Sequence, residues 1–288
     1  MTTIAVSTVA GPLDVHRSGA PDGPAVVYVH GALVDAEIWR STADLLPGTN
    51  NVRVDLPLGC HRTATHADAR LHPRAMAALV AEVIEQLDLH DVTLVGNDSG
   101  GAICQLVAGR HPERLAGLVL TNCDALETFP PPGFGYLRGL SYTPRLARWV
   151  AKVFAAMPWL GRLPLTWGSL ATGLPASLLR RWTRAAASPH GMPDVGKFFR
   201  EAKPAVTLAA AEGLARFERP IRFVWGDADR FFPISLARRL AERCPDATVT
   251  TVAGARTYVM LDAPEAVAEE ISASVRSHRA SLPTSPTL

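Results

Sequence analysis

The stretch Val92-Thr93-Leu94-Val95-Gly96-Asn97-Asp98-Ser99-Gly100-Gly101 decides the fold. An apolar β-type run stops at a glycine, and the helical pattern Ala102-Ile103-Cys104-Gln105-Leu106-Val107-Ala108 begins almost at once. A strand that turns so sharply into a helix doubles its backbone back on itself, which demands small residues on both sides. Gly96 and Gly100 bracket Asp98 in the frame Gly-x-Nu-x-Gly, the spacing that lifts one side chain over a sheet edge. Ser99 in the central role would need a small residue at Asn97, so Asp98 is the better fit.

Working outward, strands alternate with helices, the pattern of a mostly parallel sheet with crossover connections. Strands are expected at 4–8, 13–17, 25–30, 51–55, 92–97, 118–122, 221–225 and 248–252, the first two forming a hairpin across Ala10-Gly11-Pro12. Helices are expected at 73–87, 100–110, 234–243 and 264–279; the first carries Met76, Leu79, Val80, Val83, Ile84 and Leu87 at helical spacing. The alternation stops after Asn122. Thr128-Phe129-Pro130-Pro131-Pro132-Gly133 opens a helical segment holding Trp149, Trp159, Trp167 and Trp182, read first as core of an inserted lid. The expected organisation is a core at 1–125, a helical cap at 126–203 and the rest of the core at 204–288, with a frayed polar tail from Ser281.

A chain of 288 residues with 48% hydrophobic and 19% charged residues is sized for one large soluble α/β domain. Its net charge of +2 is unevenly spread. Residues 126–203 carry eleven Lys or Arg against Glu127, Asp194 and Glu201, a net +8 that leaves −6 elsewhere. Such asymmetry suits an anionic substrate, a carrier protein, a membrane surface or simply solvated helix faces. No apolar run reaches membrane-spanning length, and Met1-Thr2-Thr3-Ile4 lacks a signal-peptide layout, so no stable membrane insertion and a cytoplasmic location are expected. Cys60, Cys104, Cys123 and Cys244 lack metal-ligand or disulfide spacing, and no phosphate-binding loop or nucleic-acid module is present. The expectation is a small-molecule substrate, no metal or other cofactor and no nucleic acid, with a homodimer left open. The Ala- and Arg-rich, Lys-poor composition suits a high-GC bacterial coding sequence.

Four markers in order then carry a resemblance: Val29-His30-Gly31-Ala32, Asp55-Leu56-Pro57-Leu58-Gly59, the elbow around Asp98, and Trp225-Gly226-Asp227-Ala228-Asp229. Over essentially its whole length the chain resembles the α/β-hydrolase fold superfamily, which implies an eight-stranded, mostly parallel sheet flanked by helices with an inserted helical lid. An aspartate at the elbow is similar to the haloalkane dehalogenase and epoxide hydrolase branch. There the carboxylate forms an ester that a histidine-activated water then cleaves. By that resemblance the Ala32 and Ser99 N–H groups form the anion site, and Asp229 is the acid that orients the histidine.

The chain departs from the pattern twice. The branch usually carries Trp or Arg after the nucleophile where this chain has Ser99, which weakens a haloalkane reading. Seven residues ahead of Pro264-Glu265, where the resemblance expects the histidine, stands Thr257, preceded by Arg256 in place of a small glycine. Threonine is no general base near neutral pH. His61, after a strand end, and His190, on a lid turn, are the candidate substitutes; Asp124, after the next strand, is a second candidate acid. Asn97 and Thr257 complete the expected site, and Asp229 is free to pair with Arg256 or Arg230. Three functions stay open: hydrolysis of an ester, epoxide or carbon–halogen bond through Asp98; lyase, isomerase or cyclase chemistry with Asp98 transferring a proton; and ligand binding by a degenerate enzyme.

Overall fold

Eight strands form one sheet, and those at its centre are apolar on both faces, as crossover-connected strands covered by two helical layers must be. In the computed structural model, which describes residues 1–281, the strands are β1 (Thr2–Thr8), β2 (Gly11–Gly19), β3 (Ala25–Val29), β4 (Asn50–Val54), β5 (Val92–Asp98), β6 (Leu115–Cys123), β7 (Ile221–Gly226) and β8 (Ala247–Val252). Their order is β1-β2-β4-β3-β5-β6-β7-β8. β2 runs antiparallel to both β1 and β4, and every other pairing is parallel. β3, β4 and β6 are buried throughout, whereas the edge strand β8 is threonine-rich and half exposed. All eight expected strands are present. The tail expected to fray lies, from residue 282, outside the described residues.

Helices α1 (Arg40–Asp44), α2 (Pro73–Gln86) and α3 (Ser99–Arg110) lie between strands of the first half. α2 starts where Pro73 follows His72, whose ring nitrogen accepts from the Ala75 N–H, and it buries Met76, Leu79, Val80, Val83 and Ile84. Between β6 and β7 the chain forms α4 (Gly135–Ser141), α5 (Pro144–Ala156), α6 (Ala176–Ala186), α7 (Gly191–Glu201) and α8 (Pro204–Leu214). α8, which was not among the expected helices, packs on α3. Their backbones touch where Gly109 faces Gly213: a Cβ on Gly213 would lie 2.8 Å from the Gly109 Cα. α9 (Ile234–Ala241), the short α10 (Val259–Asp262) and α11 (Pro264–Ser281) complete the chain.

The tryptophans of the inserted segment divide in a way the sequence did not announce. Trp182 and Trp167 are buried, but Trp149 and Trp159 are 63% and 61% exposed and form no part of a lid core.

Candidate active site

The site is built at the carboxyl ends of the central strands, where ligands gather in open α/β sheets. At the end of β5 the backbone enters the left-handed region at Asp98 (φ 52°, ψ −131°) before α3 begins at Ser99. The turn closes because Gly100 lies against β3: a Cβ there would come within 2.4 Å of the Val29 carbonyl oxygen. Gly31 leaves room for the carboxylate itself, since a Cβ at that position would sit 2.2 Å from Asp98 Oδ2. His30 fixes this loop from below. Its Nδ1 donates to the Gly31 carbonyl and its Nε2 accepts from the Leu56 N–H, which makes it a scaffold residue.

The Ala32 N–H donates to Asp98 Oδ2 at 3.2 Å, and the neighbouring Ser99 N–H also favours the ionised carboxylate. Burial outweighs both donors and lifts the Asp98 pKa to about 7. Behind it, Ser99 Oγ donates to Asp124 Oδ2 at 3.1 Å, while Asp124 Oδ1 is buried without a partner. Burial, and then the neighbouring Asp98 charge, hold Asp124 well above the ordinary carboxylate range.

Asp229, in the turn after β7, is held on every side. Oδ2 accepts from Asn122 Nδ2 (2.8 Å) and Thr257 Oγ1 (2.9 Å); Oδ1 accepts from the Phe231 and Phe232 N–H groups. Burial raises its pKa against these donors. The pairing allowed for Asp229 with Arg256 or Arg230 does not form; Arg256 instead donates to the Ala171 carbonyl. Asn97, expected among the substrate contacts, turns away from the cavity. Its Nδ2 donates to Thr121 Oγ1, the Asn122 carbonyl and the Thr257 carbonyl, strapping the loop after β8 to β5.

His61 and His190 are not brought to Asp98. His61 Nε2 meets Asp194 Oδ2 at 3.2 Å, and the His190 ring packs 4.8 Å from the His61 ring with its Nε2 on the His61 carbonyl. Asp194 sits on α7 and also accepts from Thr65 and pairs with Lys197, so this cluster joins the loop after β4 to the inserted helices. A carboxylate 133 residues away claims the histidine; no local pattern around His61 announced it.

Above Asp98 lies a cavity of about 110 Å³. Asp98, Ser99 and Ala32 line its floor, and Phe134, Phe154 and Trp167 are among the apolar groups of its roof. Among the described residues, no histidine, lysine or arginine lines it. Engineered apolar cavities of ~150 Å³ stay dry and accept benzene, so the volume suits a small apolar ligand. Tyr258 also lines it and is the residue that sequence reasoning missed. Its backbone N–H donates to the Leu170 carbonyl at 2.7 Å, its ring packs on Trp182, and burial holds its phenol protonated. The only signal for it was a place next to Thr257 after the last strand.

A match to the α/β hydrolase fold family covers residues 24–264. The chain belongs to this family. Haloalkane dehalogenase 2 of Mycobacterium tuberculosis (strain H37Rv) is 25% identical over 210 residues, 68% of each chain. 2-Hydroxymuconate semialdehyde hydrolase of Pseudomonas sp. (strain CF600) is 32% identical over 120 residues, 41% of each chain. A putative 2-succinyl-6-hydroxy-2,4-cyclohexadiene-1-carboxylate synthase of Bacillus subtilis (strain 168) is 30% identical over 113 residues, 38% of this chain and 41% of that one. The chain thus matches about two fifths of the length of the latter two relatives. Haloalkane dehalogenase DbeA from Bradyrhizobium elkani superposes with a TM-score of 0.77 at 17% identity, over 98% of this chain and 99% of that one, a likeness of fold. The Pseudomonas relative is named as a hydrolase and the Mycobacterium one as a dehalogenase, and no helix of the described residues is long and apolar enough to cross a membrane.

Proposed function

We propose that the protein is an enzyme that acts on a small, largely apolar molecule through Asp98, and that Asp98 works as a proton-transfer group. One observation carries this reading: a single carboxyl faces an apolar cavity that no histidine enters. A general acid–base is most effective when its pKa lies near the working pH, and burial brings Asp98 to about 7. As carboxylate it removes a proton from a carbon or hydroxyl acid; as carboxylic acid it returns one to a neighbouring position or to a leaving group. The apolar walls exclude the water that would otherwise trap the intermediate. Residues 126–203 act as the lid over this chamber. Thr257 and Asp229 position the loop that carries Tyr258, so the carboxylate that would orient a histidine in a hydrolase holds a threonine hydroxyl instead. The Bacillus relative bears the name of a synthase, which is in keeping with non-hydrolytic chemistry on this fold.

Hydrolysis through an Asp98 ester is the second reading, favoured by the anchoring of one carboxylate oxygen on Ala32 N–H, which turns the other toward the cavity. Its second half-reaction needs a base that the lining does not supply. Two assays separate the readings. Small ketones, enones and hydroxy-carbonyl compounds are incubated with the protein in deuterated buffer and followed by NMR. Epoxides, alkyl halides and activated esters are followed by intact-mass spectrometry. Deuterium incorporation or isomerisation that Asp98→Asn abolishes is the expected result. A persistent adduct mapping to Asp98 would replace it with the ester chemistry. Binding without exchange, adduct or product would overturn both in favour of a ligand-binding protein.

A further inference from the structure

Between Glu127 and Asp194 the sequence contains no acidic residue, yet it carries Arg138, Arg145, Arg148, Lys152 and Arg162, all exposed. Among the described residues, none of these five pairs with a carboxylate. Large apolar side chains stand exposed in the same stretch: Tyr142, Leu146, Trp149, Met157, Trp159 and Leu163. α5 shows how the two are combined. Its inner face sends Val150, Ala151 and Phe154 to the cavity, while Arg145, Arg148, Trp149 and Lys152 fall together on the opposite face at helical spacing. Aromatic rings set among unpaired cations without an acid are the composition of an interfacial surface, with rings at headgroup depth and cations against anionic lipid.

The cavity reaches the same side. Tyr136 both lines it and is 45% exposed, and its hydroxyl donates to the carbonyl of the exposed Leu165. We infer that the outer face of α5 and the turns at 157–165 dock on an anionic phospholipid bilayer, presenting the Tyr136 side of the cavity to the membrane. A second copy of the chain is the poorer occupant, since a two-fold contact through this face would set its cations against one another. The inference is independent of which chemistry Asp98 performs.

The test is flotation of the intact protein with vesicles of phosphatidylcholine alone or mixed with phosphatidylglycerol, at low and high salt, with tryptophan emission read in parallel. Binding to the mixed vesicles at least about tenfold tighter than to the neutral ones, weakened by salt and accompanied by a blue shift, is expected. Each basic residue near an anionic surface is worth roughly fivefold in partitioning, so the variant R145E/R148E/K152E should lose on the order of a hundredfold or more. W149S/W159S should bind anionic vesicles more weakly and lose the blue shift. Circular dichroism of both variants controls for folding, and none of these side chains lines the cavity. No binding to either vesicle, or binding indifferent to the charge reversal, overturns the inference. So does a blue shift as large with soluble polyglutamate, which points to an acidic protein, or a dimer in sedimentation that W149S/W159S abolishes.

Discussion

On the sheet side of the cavity, Asp229 alone accepts four hydrogen bonds and Asn97 ties three segments together. On the opposite side, rings meet rings: Phe154 with Trp167 and Phe129 with Phe198, each at 5.8 Å, while Phe134 reaches Phe231 of the Asp229 turn at 4.9 Å. Directional bonds permit one arrangement and lose heavily when a partner is removed. Apolar packing accepts many side chains of suitable volume. The floor is therefore where chemistry is fixed, and the roof is where the choice of ligand can change without disturbing it.

The sharpest way to break that contrast is Asp98→Asn. Proton transfer should fall by at least about 10²-fold. Stability should move the other way. The folded state holds this carboxyl at about 7 against an ordinary value of 3.8, so folding favours the protonated form. That contribution is complete below about pH 4 and is lost as pH rises through 7. Urea unfolding at pH 4 and pH 8 should show the variant gaining about 2–4 kcal/mol on the parent at the higher pH only. An advantage that did not grow with pH would mean the floor does not strain its own carboxylate.

Asp229→Ala leaves Thr257 Oγ1, Asn122 Nδ2 and two backbone N–H groups short of an acceptor. It should cost about 3 kcal/mol in the same assay at pH 7. Phe154→Ala should cost less, about 2 kcal/mol, because the half-buried ring is truncated from a wall that can relax. Its effect on ligands should be the larger: bulkier ligands gain affinity, read by calorimetry with a graded series of alkylbenzenes. Equal penalties, or an unchanged size preference, would erase the distinction between floor and roof.

The floor was far more legible in the sequence than the roof, for the same physical reason. β5 and the elbow write themselves locally, as an apolar run, a glycine on each side of Asp98 and a helix immediately after. The Ala32 donor and the Asp229 turn follow from motifs a few residues long. Asn97 was expected to contact substrate but points elsewhere, because its partners Thr121 and Thr257 come from other strand ends. His61 depends on Asp194 and Tyr258 on Leu170, pairings across long stretches of chain that no period encodes. In the inserted segment a tryptophan reads alike whether it faces inward, as Trp167 does, or outward, as Trp149 does.

Anchoring Asp98 by Oδ2 on the Ala32 N–H, with Gly31 pressed beneath, also fixes the plane of the carboxyl group. Only one oxygen is then left to address a guest, and it does so from one side. If Asp98 transfers protons as proposed, a flat guest resting on that oxygen would exchange hydrogen on a single face. The handedness of a newly made stereocentre would thus be set by a backbone amide one residue past a glycine.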